Sequence, residues 1–204
     1  MPSFVNRSKK ITLTTNYKVM YSMLKRQRQW KKSKKWVIKL LSYKSFGLVR
    51  NPYDRLVSFY FDKLNKSLND GDYFSRSQRI FFHILDDDIS NASSLEKYQA
   101  LKAITFNEFI QLLPEIYDKN RHLHPQYWVF KNLRVDTFLQ IENPAAKQFM
   151  QENLGVDLKI KANVTQKKDL EWESKSITIV NHIYQKDFEK YGYHKKNTSN
   201  HLGS

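Results

Sequence analysis

Apolar positions along this chain follow two different periods, and the two kinds of segment alternate. Short apolar or alternating runs predict strands at Ile11–Thr15, residues 46–49 and residues 135–141. Apolar residues at helical spacing predict helices over residues 18–28, 52–64, 78–85, 105–113, 144–154 and 176–191. Because strands that alternate with helices usually pair in parallel, the pattern favours an α/β fold with a central parallel sheet flanked by helices.

Start and stop signals sharpen several of these helices. Asn-Pro pairs at residues 51–52 and 143–144 predict an N-cap followed by the first helical residue. Residues 105–108, Thr-Phe-Asn-Glu, have the form of a capping box. Gly155 and Gly192 follow the last periodic residues of two helices and predict their ends.

Composition describes a basic, globular chain. Its 204 residues include 40% hydrophobic positions, enough for one domain with its own core. Lys and Arg number 35 against 20 Asp and Glu, a net charge of +15. This balance favours polyanionic partners, whether nucleotides, nucleic acid, acidic or sulfated glycans, or anionic lipid surfaces.

Residues 25–44 concentrate the basic side chains, with nine Lys or Arg among twenty residues. One interpretation is an amphipathic surface helix whose basic face is solvated. The alternative is a polyanion groove in which Trp30 and Trp36 lie between the cations, as in a nucleic-acid-binding module.

Several classes of site are excluded or disfavoured. The chain has no cysteine, so it has neither disulfides nor thiolate metal sites, which fits a reducing compartment. It lacks both an apolar run long enough for a membrane span and an apolar signal core at its start. The acidic run at residues 86–88 has no ligand cluster around it and reads as a solvated loop, so no metal is expected.

The segment from Lys44 to Leu64 carries the clearest chemistry. Arg50 follows an apolar strand, Asn51-Pro52 begins a helix, and Ser58 lies about two turns into that helix. The arrangement offers an anion an arginine fork, a hydroxyl group and the positive end of a helix. Upstream, Thr14-Thr15-Asn16-Tyr17-Lys18 also joins a strand to a helix, which is the geometry of a phosphate-binding turn.

The string VRNPYDRLVSFYFDKL resembles the 3′-phosphate-binding motif of sulfotransferases that use 3′-phosphoadenosine 5′-phosphosulfate (PAPS), most closely the carbohydrate (family 2) branch. The resemblance implies that Arg50 and Ser58 hold the 3′-phosphate. It spans about residues 10–193 and implies one sulfotransferase domain over residues 1–204, a P-loop-like three-layer α/β domain. Animal Golgi members of the family carry a membrane anchor. Because no membrane span is predicted in this sequence, a bacterial, cytoplasmic protein is expected here.

The T-N-Y-K sequence is similar to the end of the family's 5′-phosphosulfate loop, P-K-x-x-x-T-N-W-K. By this resemblance Thr14, Thr15, Asn16 and a lysine hold the phosphosulfate. The family's Pro-Lys pair falls on Lys10-Ile11, which departs from the pattern. Either Lys10 is displaced by one position, or Lys18 takes its role, or the loop is rebuilt.

Residues 120–127 resemble the family's H-W-x-P-Q segment, and registering Pro125-Gln126 puts its histidine at His122. A histidine suits removal of the acceptor's proton near neutral pH. His124 is a rival, and the alternative is that both histidines only pair with neighbours in a polar loop. Glu142 follows the strand at residues 135–141 and is either an orienting group, an alternative base or a structural acid near a helix start.

Asn163, Thr165 and Lys167 occupy the place of the family's N-x-S loop, which covers the nucleotide, and the alternative there is a solvated basic turn. The resemblance therefore implies metal-free sulfuryl transfer from PAPS to a carbohydrate hydroxyl, with release of PAP. It also implies that the acceptor is a glycan, acidic glycans included, and it disfavours nucleic acid as a partner. Two alternatives stay open: a nucleic-acid-binding module, and a family member that binds PAP without transfer.

Overall fold

The computed structural model describes residues 2–65, 74–85, 89, 91–159 and 170–198. Within these ranges the strands are β1 Ser3–Asn6, β2 Ile11–Thr15, β3 Lys31–Ser33, β4 Lys44–Val49 and β5 Thr137–Gln140. The helices are α1 Tyr21–Lys25, α2 Lys35–Leu40, α3 Pro52–Lys63, α4 Arg76–Leu85, α5 Ser94–Ala103, α6 Phe106–Gln111, α7 Leu113–Ile116, α8 Gln126–Phe130, α9 Pro144–Glu152, α10 Ser174–Ile183 and α11 Gln185–Tyr191.

The five strands form one sheet in the order β3-β1-β2-β4-β5. β2, β4 and β5 are parallel, which confirms the predicted α/β class and its parallel strands. β1 is antiparallel to both β2 and β3, and neither β1 nor β3 was predicted. Both are only three or four residues long and flank polar segments, so they lack the sequence length that makes a strand visible.

The chain divides into two compact units. The first comprises residues 1–55, 125–164 and 186–193 and includes the sheet, and the second comprises residues 56–124, 165–185 and 194–204. A single sulfotransferase-type domain over residues 1–204 stays a prediction of the sequence.

In the first unit, side chains alternate between the two faces of β4. Leu48 belongs to one apolar cluster with residues of β1, β2 and α9, and Val49 belongs to another with residues of α8 and α11. Gly47 lies on the same face as Val49, where a Cβ atom would come within 2.6 Å of the Phe138 ring on β5. A larger residue there would collide with the neighbouring strand, so the close pairing of β4 with β5 requires glycine.

In the second unit, aromatic rings fill the centre. Phe59, Phe81 and Phe109 are fully buried, and the Phe59 and Phe109 rings stack at 5.4 Å between centroids. The Tyr60 hydroxyl donates to the Ile104 carbonyl oxygen at 3.0 Å, so its polar end is satisfied inside this core.

Local signals predicted the helix starts well. Asn51 Oδ1 accepts from the Tyr53 N–H at 2.9 Å, and Asn143 caps α9 through Ala145 N–H at 2.8 Å. The capping box that begins with Thr105 is formed at α6. Gly155 and Gly192 have φ of +69° and +68°, the left-handed conformation expected where a helix ends.

Other predicted helices were wrong in length or type. The helix predicted over residues 18–28 is only Tyr21–Lys25, because Lys18 and Met20 adopt positive φ and delay its start. Residues 25–44 are not a surface helix, since they contain β3 and the short α2. The helix predicted over residues 176–191 is two helices, broken at Tyr184, where ψ is 18° and the helical dihedrals fail.

One further predicted helix differs from the observed one, and one predicted loop lies outside the described residues. The helix predicted to stop before Pro114 ends at Gln111, and Pro114 lies at the start of α7, where proline is tolerated. The acidic run at residues 86–88 lies outside the described residues.

Candidate active site

The turn between β2 and α1 is built around Asn16, which is fully buried. Its Oδ1 accepts from the Tyr17 N–H at 2.7 Å, and its carbonyl oxygen accepts from the Val19 N–H at 3.3 Å. Lys18 and Met20 have φ of +64° and +55°, so the turn curls tightly. Asn16 Nδ2 is buried and has no hydrogen-bond partner among the residues that the structure describes. An anion or a polar ligand could accept the hydrogen bond that this buried amide donor does not make within the protein.

The hydroxyl groups of the two threonines before Asn16 make hydrogen bonds to other groups of the protein. Thr14 Oγ1 lies 3.0 Å from Ser3 Oγ, across the β1–β2 pair. The Thr15 hydroxyl bonds to the carbonyl oxygens of Val19 and Asn16, so it closes the turn from inside. The Thr14 hydroxyl therefore joins β2 to β1, and the Thr15 hydroxyl shapes the turn.

Arg50 follows the last residue of β4 and reaches back to this turn. Its Nη1 donates to the Lys18 carbonyl oxygen at 3.1 Å. Its Nε is buried without a hydrogen bond to a described residue and lies 3.8 Å from Glu142 Oε1. Burial lowers the pKa of the Arg50 guanidinium, while Asp54 and Glu142 oppose that change, and an arginine stays charged at neutral pH. The turn and Arg50 thus bring a cation and an unsatisfied amide to the carboxyl ends of β2 and β4.

Gln126 fixes the main chain at Arg50. Its Nε2 donates to the Arg50 carbonyl oxygen at 2.7 Å, and its Oε1 accepts from the Arg50 N–H at 2.9 Å. Gln126 is itself fully buried, and its own N–H donates to Asp187 Oδ2 at 2.7 Å. The Tyr127 N–H donates to the other oxygen of Asp187 at 2.9 Å, so this carboxylate caps α8.

The Asp187 carboxylate is buried, and its titration reflects opposing effects. Burial raises its pKa, while the charge of Arg55 and the hydrogen bonds from Gln126 and Tyr127 oppose that rise. Its role here is to hold the start of α8, and through it Gln126, in place.

Glu142 follows β5 and contacts Arg50 and the residue after it, Asn51. Its Oε1 accepts from the Asn51 N–H at 2.9 Å, and its Oε2 accepts from the Tyr193 hydroxyl at 3.1 Å. Burial, together with Glu142, raises the pKa of Tyr193 far above its usual range, so the hydroxyl keeps its proton. With both oxygens accepting hydrogen bonds, Glu142 has the contacts of an orienting group for Arg50 and Asn51.

Ser58 lies on α3, eight positions after Arg50 and largely buried. Asn51 caps this helix and Pro52 is its first residue, as the sequence predicted. At twelve residues, α3 is long enough to carry a helix dipole whose positive end lies next to Arg50.

The two histidines lie in the second unit, between α7 and α8. The His122 N–H donates to Asn120 Oδ1 at 3.1 Å, and its ring lies 6.1 Å from the Phe59 ring, centroid to centroid. His124 Nε2 lies 2.8 Å from the Asp118 carbonyl oxygen, an acceptor, so Nε2 carries the proton.

The remaining predicted residues are placed apart or not described. Lys10 lies in the turn that precedes β2, so the five residues of that strand, about 16 Å, separate it from the Asn16 turn. The structure therefore does not bring Lys10 together with Lys18 and Arg50. Asn163, Thr165 and Lys167 lie outside the described residues.

Sequence reasoning missed the contributions of Gln126, Asp187 and Tyr193. Gln126 served only as an anchor for aligning His122, and neither Asp187 nor Tyr193 was a candidate site residue. A glutamine next to proline before an apolar helix is the one local signal that pointed to this position.

Two kinds of feature are missing from the residues that the structure describes. None of the helices found there is both long and apolar enough to cross a membrane. The described side chains also include no group of three or more His, Asp or Glu arranged to hold a metal ion.

The fold and this site define a class: an α/β protein with a buried amide donor in a strand-to-helix turn and an arginine, at the carboxyl ends of adjacent parallel strands. The model of the sulfotransferase family matches residues 3–138, two thirds of the chain. The chain therefore belongs to the sulfotransferase family, which confirms the family predicted from Arg50 and its neighbours and supports sulfuryl transfer as its general reaction. Searches of curated proteins and of solved structures returned no match.

Proposed function

We propose that this protein transfers the sulfuryl group of PAPS to a hydroxyl group of a carbohydrate and releases PAP. The observation that carries the proposal is the position of Arg50. It lies at the end of β4, its main chain is fixed by Gln126, and its side chain is tied to the Asn16 turn at 3.1 Å. A doubly charged phosphate group matches such a fixed guanidinium because the fork can donate two parallel hydrogen bonds.

The residues of the site fit a bisphosphorylated nucleotide. Asn16 Nδ2 and Arg50 Nε are both buried donors without a hydrogen-bond partner among the described residues. Burying a hydrogen-bond donor without an acceptor costs free energy, so both donors favour an anionic ligand beside the Asn16 turn and Arg50. Arg50 and Ser58 are assigned to the 3′-phosphate, following the family motif.

The Asn16 turn is assigned to the 5′-phosphosulfate. Asn16 and Lys18 are the contacting residues, while the Thr15 hydroxyl keeps the turn in shape and the Thr14 hydroxyl joins its strand to β1. Lys10 is left out of this assignment because β2 separates it from the turn. Asn163, Thr165 and Lys167 are assigned to the nucleotide by family resemblance alone.

Sulfuryl transfer requires two further functions of the protein: a general base and a cation near the leaving group. PAPS supplies the sulfuryl group, and the acceptor oxygen bonds to sulfur as the bond from sulfur to the 5′-phosphate oxygen breaks. A base must take the proton of the acceptor hydroxyl, and His122 is assigned to this role with His124 as its rival. The cation at Lys18 offsets the negative charge that develops on the leaving 5′-phosphate.

The carbohydrate acceptor rests on the resemblance of residues 49–64 to the carbohydrate branch. A cytoplasmic location and a bacterial source stay predictions of the sequence.

One pair of measurements tests the proposal against its alternatives. The protein should be retained on immobilised PAP and released by free PAP but not by duplex DNA, whereas a nucleic-acid-binding module would be released by DNA. Sulfur-labelled PAPS should then label at least one member of a glycan panel. Retention without labelling of any acceptor would indicate a family member that binds PAP but does not transfer.

A further inference from the structure

Nearly all of the net charge lies in the first quarter of the chain. Residues 1–53 contain fourteen Lys or Arg and no Asp or Glu, the first acid being Asp54. The remaining residues contain 21 basic and 20 acidic side chains and are close to neutral. The whole of this basic segment belongs to the first unit. Such an asymmetry points to an anionic partner on one part of the molecule.

Helix α2 lies inside this segment and shows two large apolar side chains to solvent. Trp36 is 59% exposed and Leu40 is 74% exposed. Four positions apart, they lie on the same side of the helix. Ile38 lies between them in sequence, points the other way and is only 6% exposed, so it anchors α2 to the unit. The helix is therefore held by one face and presents an apolar pair on the other.

Four exposed lysines lie on α2 or on the stretch of chain just before it. Lys31 and Lys32 lie on β3, the edge strand of the sheet, and both are exposed. Lys34 precedes α2, and Lys39 lies within it, and they are exposed as well. We refer to this surface as the lysine–tryptophan patch, which consists of Lys31, Lys32, Lys34, Trp36, Lys39 and Leu40.

We propose that the lysine–tryptophan patch docks on an anionic lipid surface. Lysines near such a surface are attracted by its negative potential, while an indole ring and an aliphatic side chain gain by entering the interfacial region. A soluble polyanion such as nucleic acid or a sulfated glycan could use the lysines and the indole ring. It would leave Leu40 exposed to water, so it explains fewer of the side chains of the patch than a lipid surface does.

A second copy of the chain is a poorer occupant. Two such patches would bring at least eight lysines together without a facing acid, and the chain carries +15 overall. Lipid docking is peripheral, requires no spanning segment and does not depend on the proposed function.

The test is co-sedimentation of the full chain with phosphatidylcholine vesicles that contain, or lack, phosphatidylglycerol. Binding should require phosphatidylglycerol and should weaken as salt is raised. Lys31→Gln with Lys32→Gln should weaken it by about tenfold or more. Trp36→Ser with Leu40→Ser should weaken it on the order of tenfold or more at unchanged charge.

Matched variants control for charge and for exposed apolar area. Lys131→Gln with Lys147→Gln makes the same charge change at exposed positions on other elements, and Leu95→Ser removes a leucine that is 62% exposed on α5. Both should bind vesicles as the unaltered chain does. Circular dichroism confirms folding, and if the apolar double variant fails to fold, the lysine pair on β3 provides the test.

Three results would overturn the proposal. One is binding that does not depend on phosphatidylglycerol. Another is equal loss of binding in the Lys131 and Lys147 control, which would mean attraction by net charge alone. The third is tight binding to heparin or DNA, lost in the Trp36 and Leu40 variant, without binding to vesicles.

Discussion

The side-chain amide of Gln126 pairs with both main-chain groups of Arg50, donating to its carbonyl oxygen at 2.7 Å and accepting from its N–H at 2.9 Å. This is the hydrogen bonding that a neighbouring strand would supply, continued one residue beyond β4. Asp187 holds Gln126 in turn through the Gln126 N–H. The orientation of the Arg50 guanidinium therefore depends on residues far away in sequence.

Gln126→Met should misplace Arg50 and leave two buried main-chain groups unpaired. We expect a loss of about 1–3 kcal/mol in the free energy of unfolding for this buried site. PAP affinity should fall by about tenfold as well, because the fork is no longer held in position. Thermal unfolding and calorimetry with PAP measure the two effects. Unchanged PAP affinity in a folded Gln126→Met protein would contradict the positioning role.

Arg50→Ala should weaken PAP binding by about tenfold to over a hundredfold, since a charge-assisted contact contributes roughly 1.5–3 kcal/mol. Ser58→Ala should act in the same direction but more weakly, because it removes a neutral hydroxyl. Calorimetry at equal folding measures both. Arg134→Ala is the control, since its side chain is 89% exposed and lies outside the candidate site. If Arg50→Ala and Arg134→Ala bound PAP alike, the nucleotide assignment would fail.

His122→Ala should lower kcat by about 10²–10⁴ and leave PAP affinity nearly intact, if His122 removes the acceptor's proton. The wild-type rate should rise with pH as the base loses its proton, and this rise should disappear in the variant. His124→Ala should cost much less, because Nε2 already donates to the Asp118 carbonyl oxygen.

Turnover and PAP binding, measured on both histidine variants with a glycan that the panel identifies, separate the possibilities. A large loss of kcat in His124→Ala would mean that the alignment on Pro125-Gln126 is off by two residues. A raised KM without loss of kcat in His122→Ala would mean that this histidine only positions the acceptor.

Sulfuryl transfer should survive EDTA. The transferring group carries less charge than the γ-phosphoryl group of ATP, and Lys18 is the cation assigned to the 5′-phosphosulfate. Turnover is measured with and without chelator, and with magnesium or manganese added back. Complete loss of activity that either metal restores would contradict the proposed mechanism.

The sequence determined those parts of the site that depend on neighbours along the chain. An apolar run, Asn51 as a cap and Pro52 as a first helical residue are local signals, and β4 and α3 form where they predicted. The family was evident from the same segment. Local signals failed where a backbone departs from its propensity: the positive φ at Lys18 and Met20 shortened α1, and the basic run at residues 25–44 hid β3.

Only the tertiary structure decided how Arg50 is held. Gln126 lies 76 residues from Arg50, and Asp187 lies a further 61 residues on. No periodicity or capping signal links positions so far apart, because their hydrogen bonds form only when packing on β4 brings α8 and α11 to the same place. The same holds for Lys10 and Lys18, eight positions apart in sequence, which β2 separates because an extended strand spans about 3.3 Å per residue.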